Sequence, residues 1–588
     1  MQDHEDGAAR SPWPRRVLLA VLGVVVVLVL TVGWLALRVY QAGTALANAQ
    51  SALPKAGLQL TASDVTALTS ALPSVQHDLS RARSAAGDPV WRAAEHLPWA
   101  GTQLRAVRVV TESLDDVMAS TGPVLDQAQA LLAARDTLLS DGHVNLAPFA
   151  EVEPQLTRAA QVAAAADARV QAIDTRPLVH RLAGPVGSVQ HLLPKVASVL
   201  DTGSQLAALL PPMLGADGPR TYLVAALNSA ELRSAGGIVG AVVAVQVDHG
   251  VLKLVEHRST EDLPRLAKPV LPLTASELAV DTDRLGRWIQ DSVLTPDFPR
   301  SAQLIAAHWQ RDVGGPVDGV IATDPVAVSY LLGAVGAVTL PTGTLDQASA
   351  VAALLRDPYV HGVLGKAADA YFANAATAIF GAVVSGRGDP SRLVDAVGKA
   401  VSDGRVRIWS AHPEEQARLI RYTVGGAFLS GAFPDVTGVF LDDGTAGKLD
   451  YYLHTKVTVE KLVCTGPTPT ADVRLDLRYD PPADVASWPA DVGGRVTGAA
   501  PGTLLTDVTV YGARGAQVPS LRLGDDAVVS GLGAEDGGRQ VQVVSSTLAP
   551  GQSVTYRVQV PVRDGRVQVW ATPTVTSPSF VTATCLGS

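Results

Sequence analysis

The sequence predicts a multidomain α+β protein, and three features of the chain carry that reading. Residues 17–37 (VLLAVLGVVVVLVLTVGWLAL) run for 21 positions without a charge, close to the roughly 20 that a helix needs to cross the hydrocarbon core of a bilayer. Residues 41–214 are written in alanine, leucine, glutamine and arginine punctuated by proline and glycine, the vocabulary of helices. Beyond residue 450 the period shortens to two, as in LHTKVTVEKLV, DVRLDLRY and QSVTYRVQVPV, which marks half-buried strands. Strand-like and helix-like segments alternate in between. The expected order is a cytoplasmic tail (1–16), a transmembrane helix (17–37), an extracellular helical bundle or stalk (38–215), a central α/β domain with a mixed sheet (216–450) and a C-terminal β-sandwich (451–588).

A chain of 588 residues exceeds what one hydrophobic core supports. The net charge of −9 and the lack of a Lys/Arg-rich stripe argue against a nucleic-acid partner. Arg10, Arg15 and Arg16 precede the apolar run and only Arg38 follows it closely, so the tail is expected inside the plasma membrane and the bulk of the chain outside. Trp34 and Tyr40 suit the outer interface. A cleaved signal peptide is the competing reading, with Ala45-Leu46-Ala47 and Ala47-Asn48-Ala49 as small-residue sites. The apolar run is longer than the roughly 7–15 residues of a signal core, which favours an uncleaved single-pass signal anchor. The two cysteines, Cys464 and Cys585, share the last quarter of the chain. Outside the cell such a pair reads as a disulfide closing one domain end to end, with two buried thiols as the alternative. Their separation suits neither a CxxC redox motif nor a zinc site.

In the helical region Leu104, Val107, Thr111, Leu114, Met118, Thr121, Leu125, Ala128 and Leu132 recur at spacings of three and four. Two threonines in that seam, and Gly122-Pro123 across it, favour a bundle or hairpin over a long coiled coil. A packed bundle is the plain reading; a stalk, a docking surface or a homo-oligomer contact is the functional one. Pro211-Pro212 through Gly218-Pro219 is a linker.

Residues 222–227 and 238–247 are apolar runs rich in β-branched residues, and 251–255 begins a third. Asp248-His249-Gly250 makes the last two a hairpin. An amphipathic helix is expected at 300–311 and a strand at 317–322. Asp324-Pro325 then supplies the N-cap and first residue of a helix over 326–332, with a strand at 337–340. That strand–helix–strand order predicts a parallel crossover. Helices at 347–355, 365–384, 390–401 and 413–422, with a strand at 406–410, complete the domain. From 451, six or seven short strands between proline, glycine and aspartate turns resemble an immunoglobulin-like β-sandwich.

Asn228-Ser-Ala-Glu-Leu-Arg233 followed by Gly236-Gly237-Ile-Val-Gly240 resembles the signature of the bacterial domain-of-unknown-function family 4012. So do Pro296-Asp-Phe-Pro299, Val317-Asp-Gly-Val-Ile-Ala-Thr-Asp-Pro325 with Ser329-Tyr330-Leu331-Leu332, and Gly447-Lys448-Leu449-Asp450-Tyr451-Tyr452. Asp88-Pro89-Val90-Trp91 and Leu97-Pro98 with Gly101 are similar to that family too. The resemblance runs from about residue 85 to 455. It implies a membrane-anchored, surface-exposed protein and brings no established activity. A weaker similarity joins the hairpin ending in Arg258-Ser259-Thr260, and the run VDGVIATDPVAVSYLLGAVGAVTLP, to the LytR-CpsA-Psr family of wall-polymer ligases. That similarity implies a glycan-phosphate transferase acting on a polyprenyl-pyrophosphate-linked polymer, with arginines on the pyrophosphate and Mg²⁺ held by aspartates. Arg258 would then be a phosphate ligand, with Arg356 and Lys366 nearby in sequence. The aspartate that this family places near its first strand has no counterpart, since Arg233-Ser-Ala-Gly stands there.

Arg233 and Arg258 flank one predicted sheet, and with Lys366 they are the anion- or phosphate-binding candidates, because a guanidinium offers paired donors to an oxyanion. The structural alternative pairs each arginine with a neighbouring acid, Glu231 for Arg233 and Glu256 or Glu261 for Arg258. Glu261, Asp262 and Asp297, with Asp281 and Asp283, are the metal candidates, although their spacing forms no compact loop. Asp442-Asp443-Gly444 through Asp450 lacks the EF-hand ligand spacing and reads as a turn. Gly236-Gly237-x-x-Gly240 precedes a strand and opens no helix, so it reads as a tight loop or bulge. His249 and His257 read as turn or surface groups. No G-x-S-x-G elbow, HExxH or P-loop occurs, which leaves hydrolase, metalloprotease and NTPase readings without support. Two functions remain: an envelope protein that binds or scaffolds a cell-wall polymer or envelope protein, and the Mg²⁺-dependent transferase.

Overall fold

The computed structural model describes the chain from residue 29 onward, apart from residues 46–47, 49–61, 134–137, 141, 518–519, 525–526, 530 and 586–588. The described residues fall into two compact units, one within residues 1–134 and 147–211 and the other within 135–146 and 212–588. The expected tail and residues 17–28 of the expected transmembrane helix lie outside the described residues. Residues 29–45 are helical, with Val29, Leu30, Val32 and Leu37 exposed.

The first unit is built from the helices Ala62–Ala86, Pro89–Ala94, Ala100–Ala133, Ala147–Gln171 and His180–Met213. Helix Ala100–Ala133 runs unbroken through Pro123, where the sequence suggested an interruption. Packing on two sides explains this. Val110, Val117 and Val124 join Ala159, Ala163, Ala166 and Leu193 in one cluster, while Leu114 and Met118 cover Val75 and Leu79. Burial of those side chains outweighs the roughly 3 kcal/mol that an interior proline costs. Thr111 tolerates full burial because its hydroxyl donates to Val107 O at 2.9 Å.

The second unit contains a seven-stranded mixed sheet. Its order is Leu139–Ser140, His143–Val144, Val251–Ser259, Ile238–Asp248, Arg220–Asn228, Gly319–Thr323 and Arg407–Ser410. All neighbours are antiparallel except Arg220–Asn228 and Gly319–Thr323. Alternation along the strands builds two faces. Leu223, Ala225 and Val242 pack under helix Phe298–Asp312 through Ala302, Ile305 and Trp309. Tyr222, Val243 and Val245 face the other way, toward Ala376 and Phe380 of helix Lys366–Val384. Among the described residues, that helix alone is long and apolar enough to cross a membrane. Here its Ala375 and Ala382 pack on Leu332, Val335 and Leu345.

The hairpin at residues 248–250 takes the type I′ form, with His249 at φ 47 and Gly250 at φ 82. Asp324 caps helix Pro325–Val335 by accepting from Ala327 N at 2.8 Å. The expected crossover out of that helix does not form. Val338–Leu340 pairs with Gly343–Leu345 in a separate ribbon, because the place beside Gly319–Thr323 is filled by Arg407–Ser410.

Two further sheets face each other across one core. The six-stranded sheet runs Leu532–Asp536, Arg539–Leu548, Leu504–Tyr511, Thr437–Asp443, Arg566–Ala571 and Phe580–Thr584. The five-stranded sheet runs Leu453–Val463, Thr470–Tyr479, Ser553–Pro561, Leu521–Leu523 and Ala527–Val528. Val439, Leu441, Val508 and Val510 from the first meet Val473, Leu475, Tyr556 and Val558 from the second. Strand Thr437–Asp443 lies inside the six-stranded sheet, antiparallel to Leu504–Tyr511 and parallel to Arg566–Ala571, although the sequence suggested a boundary near residue 450. Cys464 is bonded to Cys585 with 5.9 Å between their Cα atoms.

Candidate functional site

Residues 229–237 leave the sheet at the end of Arg220–Asn228 and return as Ile238–Asp248, and small residues set their path. Gly236 has φ 125, and a Cβ there would lie 2.9 Å from the Pro573 ring; one on Gly237 would lie 2.4 Å from Asn228 O. The strand register slips opposite Gly240, where Ala226 pairs with Ala241 but Leu227 with Val239, so Gly240 is the bulge residue.

This loop carries Leu232 and Arg233 into the junction with the sandwich. Leu232 is fully buried within the sandwich core. Arg233, only 3% exposed, donates from Nε to Asp291 Oδ1 at 2.9 Å and from Nη1 to Leu232 O at 2.8 Å. The other Asp291 oxygen holds Arg284 at 3.1 Å. Leu232 N donates to Asp450 Oδ2 at 2.8 Å, Ser234 N to Asp442 Oδ1 at 2.8 Å, and Asp443 N to Leu232 O at 2.9 Å. Strand Arg407–Ser410 adds more bonds: Arg407 Nη1 donates to Ala235 O at 3.0 Å. Arg405 pairs with Asp324 at 2.7 Å while donating to Thr574 O at 2.8 Å. Buried arginines and aspartates thus join the seven-stranded sheet to the sandwich.

Burial works against the Arg233 charge, yet Asp291, Asp443 and Asp442 around it raise its pKa. Burial pushes Asp442 up to about 7 and drives Asp450 and Asp281 well above the usual carboxylate range. Arg407 is lowered by burial to about 10. A buried charge must be paired and hydrogen-bonded, and Arg233 meets that demand through Asp291 and Leu232 O.

The structure separates the anion candidates. Arg233 is enclosed, and its partner is Asp291 rather than the neighbouring Glu231, which instead holds Lys448. Arg258 stands half-exposed on Val251–Ser259, 3.4 Å from Glu256. Lys366 is exposed at the start of helix Lys366–Val384. The metal candidates are separated as well. Glu261 and Asp262 are exposed on the turn Thr260–Asp262, whereas Asp297 is buried. Its Oδ1 takes Leu429 N at 2.9 Å, Ser430 N at 3.0 Å and Ser430 Oγ at 3.1 Å. Among the described residues no three His, Cys, Asp or Glu side chains are grouped to hold a metal.

Sequence reasoning missed a row of rings beside this junction. Lys448 Nζ, paired with Glu231, lies 5.0 Å over the Tyr359 ring, and Asn228 Nδ2 donates to Tyr359 Oη at 3.2 Å. Arg356, held by Asp357 at 2.6 Å, lies 5.6 Å over Tyr451. Ring centroids are 5.4 Å apart for Tyr371–Phe372, 6.3 Å for Phe372–Tyr359, 5.0 Å for Tyr451–Tyr452 and 5.7 Å for Tyr452–Trp488. All six rings are partly exposed. Burial lowers Lys448 to about 8 and raises Tyr359 to about 12. The chain is only 5% aromatic, so six neighbouring rings are a local concentration. The one signal available in sequence was Lys448-Leu449-Asp450-Tyr451-Tyr452.

A family model described as Protein of unknown function (DUF4012) matches residues 217–359, a stretch that includes the 229–237 loop, Asp291 and Tyr359. No curated protein and no solved structure matches the chain, and the similarity to the LytR-CpsA-Psr ligases has no counterpart in these comparisons. The match supports the resemblance to the domain-of-unknown-function family 4012 read from the motifs between residues 228 and 332.

Proposed function

We propose that this protein is a single-pass, membrane-anchored envelope protein that holds a cell-wall polysaccharide on its second unit. The row of partly exposed rings from Tyr371 to Trp488 carries this reading. Tyrosine and tryptophan faces offer a large contact area at low conformational-entropy cost. Asn228, Glu231 and Asp357 stand beside them as hydrogen-bonding groups. Both cations over the rings are already neutralised by an acid, which favours uncharged pyranose rings over phosphate.

The 21-residue apolar run preceded by three arginines supports the anchor and a cytoplasmic N-terminus. The Cys464–Cys585 bond suits an oxidising exterior. An immunoglobulin-like sandwich suits a spacing or adhesive role, an analogy at the level of fold. Against the glycan-phosphate transferase stands the enclosure of Arg233 by Asp291. The test is co-sedimentation of the detergent-solubilised full-length protein with purified wall glycan strands. Wild type is expected to sediment, and Tyr451→Ala with Trp488→Ala to lose at least tenfold in affinity. No sedimentation of wild type would overturn the reading. Saturable binding of a polyprenyl pyrophosphate analogue with Mg²⁺, abolished by Arg258→Ala, would move the choice to the transferase.

A further inference from the structure

We infer that the segment from Asp88 to Gly101 makes a second membrane contact, with Leu97 and Trp99 seated in the outer interface of a lipid bilayer beside the anchor helix. This rests on the anchor reading of residues 17–37. Asp88 binds that helix: Trp34 Nε1 donates to Asp88 Oδ2 at 3.2 Å, and Arg38 pairs with the same oxygen at 3.2 Å. The other Asp88 oxygen caps helix Pro89–Ala94 by accepting from Val90 N at 2.9 Å. Leu35 packs on a cluster formed by Ala42, Ala85, Ala86, Trp91, Ala94 and Leu104.

Leu35 belongs to the apolar run, within its last turn. The residues that touch it therefore stand at the level where the helix leaves the hydrocarbon. Ala94 and Leu104 both touch that cluster, so the chain between them is held at the same level.

There it presents two apolar side chains to the outside, Leu97 at 53% and Trp99 at 69% exposure. Trp99 has φ 59, a left-handed backbone that a bulky residue adopts only when its surroundings impose it. The surroundings do so. Gly101 N donates to Leu97 O at 3.0 Å, and a Cβ on Gly101 would lie 2.1 Å from Glu95 O, so only glycine lets the turn close. Arg108 fixes Glu95 with a 2.6 Å bond from Nε. A constrained turn that displays tryptophan and leucine to water gains nothing there, whereas the bilayer interface favours tryptophan. On the adjacent helix Trp34 and Tyr40 are exposed as well.

The native cysteines are bonded to each other, so a single added cysteine can be labelled uniquely with an environment-sensitive fluorophore. The experiment places it at Val32→Cys, Leu97→Cys, Trp99→Cys or Glu151→Cys in the full-length protein, the last an exposed position near the start of helix Ala147–Gln171. Each variant is reconstituted in phosphatidylglycerol–phosphatidylethanolamine vesicles carrying headgroup-level nitroxide lipids. Labels at 32, 97 and 99 are expected to be quenched several-fold more than the label at 151. Quenching at 32 without quenching at 97 and 99 would overturn the second contact while leaving the anchor intact. No quenching at any of the four would overturn the anchor and the contact together.

Discussion

The two units place their charges in opposite ways. In the helical unit ion pairs reach solvent where Arg83 meets Asp115 and Asp116 and Arg169 meets Asp116, and those of Arg108 with Glu95 and Glu112 are only part-buried. The interior there is alanine and valine, as in Ala159, Ala163, Ala166 and Val170. In the second unit the charges lie inside, with Arg233 on Asp291, Arg405 on Asp324, and Arg407 and Arg539 bonded to carbonyl oxygens. Exposed pairs contribute only about 0–1 kcal/mol each, so apolar packing holds the helices. Buried pairs stabilise little in net terms, yet removing one partner is severe. The helical unit is held by buried apolar area, while the junction of sheet and sandwich is held by matched groups that accept one arrangement.

Removing the disulfide has the largest expected effect. The bond spans a separation of 121 residues, for which the loop-entropy relation gives about 5 kcal/mol. Denaturant unfolding of Cys464→Ser with Cys585→Ser is expected to show that loss in the second unit alone. A parallel loss in the helical unit would break the comparison. Arg233→Ala comes next, at about 3–5 kcal/mol from the second unit, because it leaves buried carboxylates without their cation. Chemical denaturation followed by tryptophan fluorescence measures it.

The pH dependence follows from the same contrast. Asp442 titrates near 7 in the folded protein because burial favours its neutral form. Between its unfolded value of about 4 and that folded value, only the folded state keeps the proton. Stability of the second unit is therefore expected to fall as pH rises from about 4 to 7, and Asp442→Asn to flatten that slope. Asp116 behaves in the opposite sense. Burial raises it, but Arg169 and Arg83 lower it further, so its contribution is present above its ordinary value and is lost as pH falls. Melting temperatures across pH 4 to 8, read separately for the two units, measure both slopes. The smallest effect belongs to Arg83→Ala, under about 1 kcal/mol, since its partners stay solvated.

Local chemistry was legible in the sequence. The turn Asp248-His249-Gly250 and the cap Asp324-Pro325 appear where their side chains and φ preferences require them. Helix Phe298–Asp312 follows from its amphipathic spacing. What failed were pairings made in space. Nothing near Arg233 in the chain announces Asp291, and Ser234 finds Asp442 across 208 residues. The expected crossover lost its place to a strand nearly ninety residues on, Arg407–Ser410. Acid spacing did not distinguish a metal ligand from a turn cap, which is what Asp297 proves to be. The ring row joins residues from four separate segments, so no motif spans it.

Hydrogen exchange on the full-length protein, wild type against Arg233→Ala, addresses the junction most directly. Protection is expected to fall together in residues 229–237, in strand Thr437–Asp443 and in the turn Leu449–Tyr452, while helices Ala100–Ala133 and Ala147–Gln171 exchange as in wild type. An Arg233→Ala protein that exchanges like wild type throughout and instead loses binding of inorganic pyrophosphate would contradict this, and would return Arg233 to the role of an anion ligand.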